Sequence, residues 1–495
     1  MTKCSKMLNR RKFNKLLGVG LVVSLAFQAQ GKGHSPKKPN VLYIFADQMR
    51  FSAMSCMAGV PGAGQEPNAL RTPNLDRLAG EGMLFSHAFS TTPVCSPYRV
   101  GLQTGQYCNK VGYSLDPKEP TIAHVLKAQG YATGYIGKWH MHGSKGNPRG
   151  FVEPERRQGW DFFAGHEVTH QYFNTSYFLN NDRTPIPVKD GAYEPEVQTE
   201  LAIKFLKQQD QEKPFCLFLS WGPPHNPYVP PRAFDTHHPE ESPIRPNVAD
   251  KYRSAAAEQL AKYYGQVESL DELMGRILKT LQESGLAKNT ILCFSSDHGD
   301  THFSHKHEDA PNAGGYKRRP YEEAARIPFI IRWPQCIKPG QKTDMLLGSV
   351  NVMPTLLGLC DAPIPKTVQG ENLSTAILEN QPGPDSVFLQ QTVPGNTAFR
   401  SPWRAIRTHQ YLYATSGHTG NGGWLLYDME KDPYQLKNCI DDPVYATIRN
   451  TLDGKLDAWR AKTEDDQDMQ ADYKRATKVA PNRKRRKTNN DEEGE

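Results

Sequence analysis

Five short apolar runs, at 41–46, 131–136, 214–220, 290–295 and 329–332, punctuate the chain. Those at 41–46, 214–220 and 290–295 are continuous rather than alternating, the mark of strands covered on both faces. The other two read as further strands. Segments with helical character lie between them. At 72–79, Thr72 reads as a cap and Pro73 suits the first helical position. A short amphipathic helix over 121–129 stops at Gly130. Residues 196–208 are helical. The longest helix, over 255–284, carries a stripe of Ala261, Tyr264, Val267, Leu270, Leu273, Ile277 and Leu281 before Gly285. Strands alternating with helices predict an α/β fold: a large α/β/α sandwich on a mostly parallel, mixed sheet. At 382–385 the composition turns to Pro and Gly. Short strands at 403–407, 411–413 and 425–428 and a helix over 444–461 then predict a smaller C-terminal subdomain with an antiparallel sheet. The expected units are 38–382 and 383–475.

The 495 residues suffice for a sizeable core, and no internal repeat is visible. The formal charge of +7 is mildly basic and is compatible with an anionic substrate. Part of it sits in the run Arg483–Lys487, flanked by acidic residues at 491–493, within a tail over 476–495 that reads as solvated disorder. Nothing in this balance calls for a nucleic acid partner. At the N-terminus, Lys3, Lys6, Arg10, Arg11, Lys12 and Lys15 precede an apolar stretch over 16–27 and the small residues Ala29 and Gly31. This reads as a signal peptide over 1–31, too short to be a membrane span, with Arg10-Arg11-Lys12-Phe13 resembling a twin-arginine signal. No other apolar run is long enough to span a bilayer, so a periplasmic or secreted protein is expected. Nine cysteines occur without CxxC pairing, which disfavours a structural zinc site. Cys216 and Cys293 lie inside apolar runs and read as buried small hydrophobes.

Candidate chemistry gathers where the strands end, which is where open α/β sheets carry their function. The first run ends in Asp47-Gln48, the second leads to Lys138-Trp139-His140, the third to His225 between prolines, and the fourth to Asp297-His298. Asp47 alone would read as a cap or turn residue; with Gln48, Asp297 and His298 it suits a hard cation. Between the first two runs lies TTPVCSPYRVGLQTGQY (91–107), centred on Cys95, Pro97 and Arg99 and followed by Leu102, Thr104 and Gly105. Lys317 opens a later stretch with Tyr321-Glu322 and Arg326-Ile327-Pro328. Residues 143–189 are rich in Gly, Asn and aromatics. Their Trp160, His166, His170, Tyr172 and Tyr177 suit a sugar ring, or equally a surface insertion packed by its own aromatics.

These motifs, in this order, resemble those of the type I sulfatases over residues 40–459, nearly all of the mature chain. The resemblance implies an alkaline-phosphatase-like fold. It also implies that an accessory formylglycine-generating or sulfatase-maturating enzyme oxidises Cys95 to formylglycine, whose hydrate attacks sulfur. It assigns one calcium ion, with magnesium as the alternative, to Asp47, Gln48, Cys95, Asp297 and His298. Arg99, Lys138 and Lys317 would hold the sulfate, His140 would face the formylglycine hydroxyl, and His225 would protonate the departing alcohol. Gln48 stands where the family has a second acid, and Asn351 where it has Asp. A sulfated carbohydrate substrate is expected, with His166, His170 and Arg318 on the sugar; algal glycans and animal glycosaminoglycans both stay open. The alternatives are a phosphonate or phosphate ester hydrolase of the same superfamily, or a silent glycan-binding protein with Cys95 unconverted.

Overall fold

The computed structural model describes residues 37–142, 150–189, 191–209, 212–305, 317–392 and 401–478. The expected signal peptide and almost all of the charged tail lie outside them. No helix among the described residues is long and apolar enough to cross a membrane.

The main sheet contains β1 (Asn40–Asp47), β2 (Met83–Phe89), β3 (Ala132–Lys138), β4 (Phe162–His166), β5 (Ser176–Leu179), β6 (Ile186–Pro187), β7 (Phe215–Pro224), β8 (Thr290–Ser296), β9 (Arg326–Arg332), β10 (Gln341–Thr343) and β11 (Leu347–Gly348). Among the described residues these eleven strands run in the order β10-β2-β9-β8-β1-β7-β3-β4-β5-β6, with β11 beside β2. The central strands β8, β1, β7, β3 and β4 are mutually parallel. By contrast, β9 runs antiparallel to both β8 and β2. Phe45 pairs with Ser295 on one side and Ser220 on the other, so the central strands reach the same edge in step.

Successive side chains of β1 point to opposite faces, and both faces are covered. Val41, Tyr43 and Phe45 pack against α2 (Cys95–Thr104), α3 (Ile122–Ala128) and the later helix over Val352–Leu359. Leu42, Ile44 and Ala46 pack against α1 (Pro73–Gly80) and the long helix Arg253–Glu283, whose predicted stripe is buried. Helices on both faces of a mostly parallel mixed sheet give the expected α/β/α sandwich. Beyond it, β12 (Val387–Gln391), β13 (Trp403–Arg407), β14 (Tyr411–Ser416) and β15 (Gly423–Asp428) form a four-stranded antiparallel sheet, packed by a helix over Ala446–Lys462.

Two local expectations need correcting. Thr72 does not cap α1 with its side chain; its hydroxyl instead bonds Ser55 and Asp76. The helix N–H groups of Asn74 and Leu75 are capped from outside by Asp271 of the long helix, at 3.1 and 2.8 Å. The stretch at 143–189 is less irregular than its composition implies, since β4, β5 and β6 extend the sheet there. Trp160 and Tyr172 are buried in the fold rather than presented to a sugar.

Candidate active site

Four adjacent strands deliver polar groups to one sheet edge. Asp47 ends β1, Lys138 ends β3, His225 follows β7, and Asp297-His298 follow β8. Because β9 runs the other way, the segment that precedes it enters at this same edge and brings Lys317. The α2 helix starts there too, with Cys95 as its first residue. Cys95 Sγ is 3.4 Å from Asp47 Oδ1 and 3.1 Å from His298 Nε2, and accepts from Lys317 Nζ at 3.0 Å. Burial pushes this thiol up, but Lys138, Lys317 and His298 outweigh it and hold the thiol well below its ordinary range.

Asp47, Cys95, Asp297 and His298 are all buried, and their donor atoms lie within 4.8 Å of one another. The donor set suits a hard cation on two further observations. Burial and neighbouring Asp47 push Asp297 up to about 6, the like-charge crowding that a cation relieves. Gln48, whose N–H donates to Asp297 Oδ1 at 3.0 Å, carries a buried Oε1 with no hydrogen-bond partner. His298 Nδ1 donates to the Gly299 carbonyl at 2.8 Å, leaving Nε2 as the ligating nitrogen.

Lys138 Nζ is 2.5 Å from Asp47 Oδ2. Arg99 was expected on the sulfate, but its terminal nitrogens are engaged below the site. They bond Asp47 Oδ2 and Asp297 Oδ2, each at 3.1 Å, as well as the Lys138 carbonyl and Ser220 Oγ. Arg99 thus bridges the two carboxylates. Lys317 Nζ also donates to His225 Nε2 at 2.9 Å, while His225 Nδ1 donates to the Asn226 carbonyl at 2.7 Å. Burial and Lys317 both push His225 down, so the ring is neutral and Lys317 carries the proton. Burial brings His140, at φ +52, down to about 4.

The three expected sugar contacts part company. His170 belongs to the site: its ring stacks on His225, with centroids 3.9 Å apart and planes at 6°. Half-buried Arg318 follows Lys317 directly, its backbone held by the Pro93 carbonyl and by Trp403 Nε1, each at 3.0 Å. His166 does not reach the open face. It is buried, with Nε2 2.6 Å from Glu194 Oε1. Sequence reasoning missed Ser220, which accepts from Arg99, and Asp300, which accepts from Gln48 Nε2 at 2.6 Å; Tyr172, named there only for a sugar, instead donates its hydroxyl to the His225 carbonyl at 2.8 Å. Only Asp300 had a local signal, lying three residues after Asp297 at the end of the same buried run.

Comparison with known proteins agrees with this geometry. The family model described as "Sulfatase" matches residues 39–362, and that of the "N-sulphoglucosamine sulphohydrolase, C-terminal" region matches 314–462. An ulvan-active sulfatase of Formosa agariphila is 35% identical over 448 residues, covering 87% of this chain and 83% of its own. An endo-4-O-sulfatase of Bacteroides thetaiotaomicron is 30% identical, covering 81% and 87%. The solved structure of yidJ from Bacteroides fragilis superposes with a TM-score of 0.78 at 31% identity, over 90% of this chain and 99% of that one. The chain belongs to the sulfatase family of the alkaline-phosphatase-like superfamily, and is a sulfuric ester hydrolase.

Proposed function

We propose that the protein is an exported sulfatase that removes sulfate esters from a sulfated polysaccharide or its oligosaccharides, acting through Cys95 converted to formylglycine. Residues 38–382 form the catalytic unit, and 383–475 a C-terminal unit that buttresses it. The observation that carries this reading is the placement of Cys95, the first residue of α2, among Lys317, His298 and Asp47. A thiol serving only as packing would not be surrounded by two ammonium groups and three imidazoles. The oxidised group, made by a maturating enzyme in the exporting cell, would supply as its hydrate the nucleophile for sulfur. A calcium ion held by Asp47, Gln48, Asp297, His298 and residue 95 would polarise the reacting oxygens.

The chain's own residues do the remaining work. Lys138 and Lys317 neutralise the sulfate oxygens, and Arg99 holds Asp47 and Asp297 in place. The Lys317–His225 pair shares one mobile proton across 2.9 Å, available to the departing alcohol oxygen. His140, neutral at working pH because its pKa is brought down to about 4, is a base ready to take a proton from residue 95. A carbohydrate ester is supported by the relatives, an ulvan-active sulfatase and an endo-4-O-sulfatase. His170 and Arg318, beside His225 and Lys317, are the side chains proposed to meet the sugar. A panel of defined sulfated oligosaccharides, read by sulfate release, tests this. Turnover of at least one of them should exceed that of 4-nitrophenyl sulfate in kcat/KM, since only the sugar uses remote binding energy. Preferential hydrolysis of phosphate diesters, or no release from any saccharide, would contradict it.

A further inference from the structure

Gln48 supplies no charge where the resemblance expects an acid, and the structure shows what stands behind it. Gln48 is buried at φ +70, a conformation few side-chain-bearing residues adopt. Its Nε2 donates to Asp300 Oδ2 at 2.6 Å. The same oxygen accepts from the Tyr228 hydroxyl at 2.5 Å, and Asp300 Oδ1 accepts from the His302 N–H at 3.0 Å. All three partners are donors, so this carboxylate acts only as an acceptor. A primary amide is nearly symmetric in shape and could sit either way round. Against an acceptor only its NH2 fits, so Oε1 is turned away from Asp300. That oxygen is the buried, unpartnered one, on the residue that follows Asp47 and whose backbone N–H donates to Asp297 Oδ1.

We propose that Asp300, braced by Tyr228, is a positioning residue that fixes the Gln48 amide with its oxygen presented to the cation. The same carboxylate returns, one side chain further out, the negative charge that Gln48 lacks. This rests on the reading of Asp47, Gln48, Asp297 and His298 as a metal site. A neutral ligand with a fixed orientation thereby replaces a carboxylate that would need none.

Calcium titration into the chelator-stripped full-length protein, followed by calorimetry and by the calcium-induced rise in Tm, tests this apart from activity. Asp300→Asn gives the neighbour a donor of its own and lets the Gln48 amide turn; calcium Kd should weaken by about ten-fold or more. Gln48→Glu alone sets two carboxylates against each other and should also weaken binding. Gln48→Glu combined with Asp300→Asn should recover the affinity to within about three-fold of wild type. A carboxylate at position 48 has two equivalent oxygens, and either can accept from the amide that the second substitution introduces. Tyr228→Phe should weaken calcium a few-fold and serves as the test if Asp300→Asn does not fold. Wild-type affinity in Asp300→Asn or Tyr228→Phe, or a double variant no better than Asp300→Asn, would overturn the inference. A wild-type protein indifferent to calcium would overturn the metal reading itself and this inference with it.

Discussion

One nitrogen, Lys317 Nζ, touches the three groups on which the chemistry turns. It lies 3.0 Å from Cys95 Sγ, 2.9 Å from His225 Nε2 and 3.5 Å from His298 Nε2. Because His225 Nδ1 is tied to the Asn226 carbonyl, its Nε2 can pass on a proton only after receiving one, and Lys317 is the donor in contact. His225→Ala should therefore hurt most where the leaving oxygen most needs a proton. Loss of kcat/KM should reach about 10²–10⁴-fold on a carbohydrate sulfate and fall to about ten-fold or less on 4-nitrophenyl sulfate. Equal losses on both esters would mean that His225 only positions its neighbours. Stacked His170 adds packing to the same ring. His166 is buried and engaged by Glu194.

At the level of elements, the strand ends were legible because continuous apolar runs mark buried parallel strands, whose carboxyl ends carry function. Asp47 stood out this way; Lys138, His225 and Asp297 also follow such strands, but they and Cys95 were singled out by motifs that resemble the sulfatases'. What the chain concealed were polar residues whose meaning depends on a partner far along it. Asp271 lies 197 positions from Asn74 yet caps α1, so Thr72 looked like the cap only because it was the nearest hydroxyl. β4 and β5 escaped notice because strands of five and four residues offer too short an apolar run to stand out. Asp271→Ala should destabilise the protein by about 1–2 kcal/mol, seen as a fall in the denaturation midpoint, with kcat unchanged. Burial pushes the Asp271 carboxyl from 3.8 up to about 6, so the folded chain binds its proton more tightly than the unfolded chain. Wild type should accordingly lose stability relative to Asp271→Asn as pH rises across that interval. A pH-independent difference would show that Asp271 does not titrate in the fold.

For the whole molecule, the second sheet matters because it grips the segment that carries Lys317. Trp403 of β13 holds the Arg318 carbonyl, and Arg407 of the same strand bonds Glu322 Oε1 at 2.9 Å. Glu322 also bonds Arg326 at 3.1 Å, and all three side chains are buried. Glu322→Ala would leave two buried guanidinium groups without that carboxylate. It should cost about 3–5 kcal/mol in chemical denaturation, with activity lost as the second sheet loosens. A loss under about 1 kcal/mol would show that the two sheets are not coupled through this acid.

Residue 95 is the nucleophile of the proposed reaction. Peptide mass spectrometry of the Cys95 segment, on preparations made with varying amounts of a maturating enzyme, gives the converted fraction in each. Turnover on a sulfated oligosaccharide should rise in proportion to that fraction and vanish where only the thiol is found. Full turnover from protein whose Cys95 is entirely thiol would contradict the account.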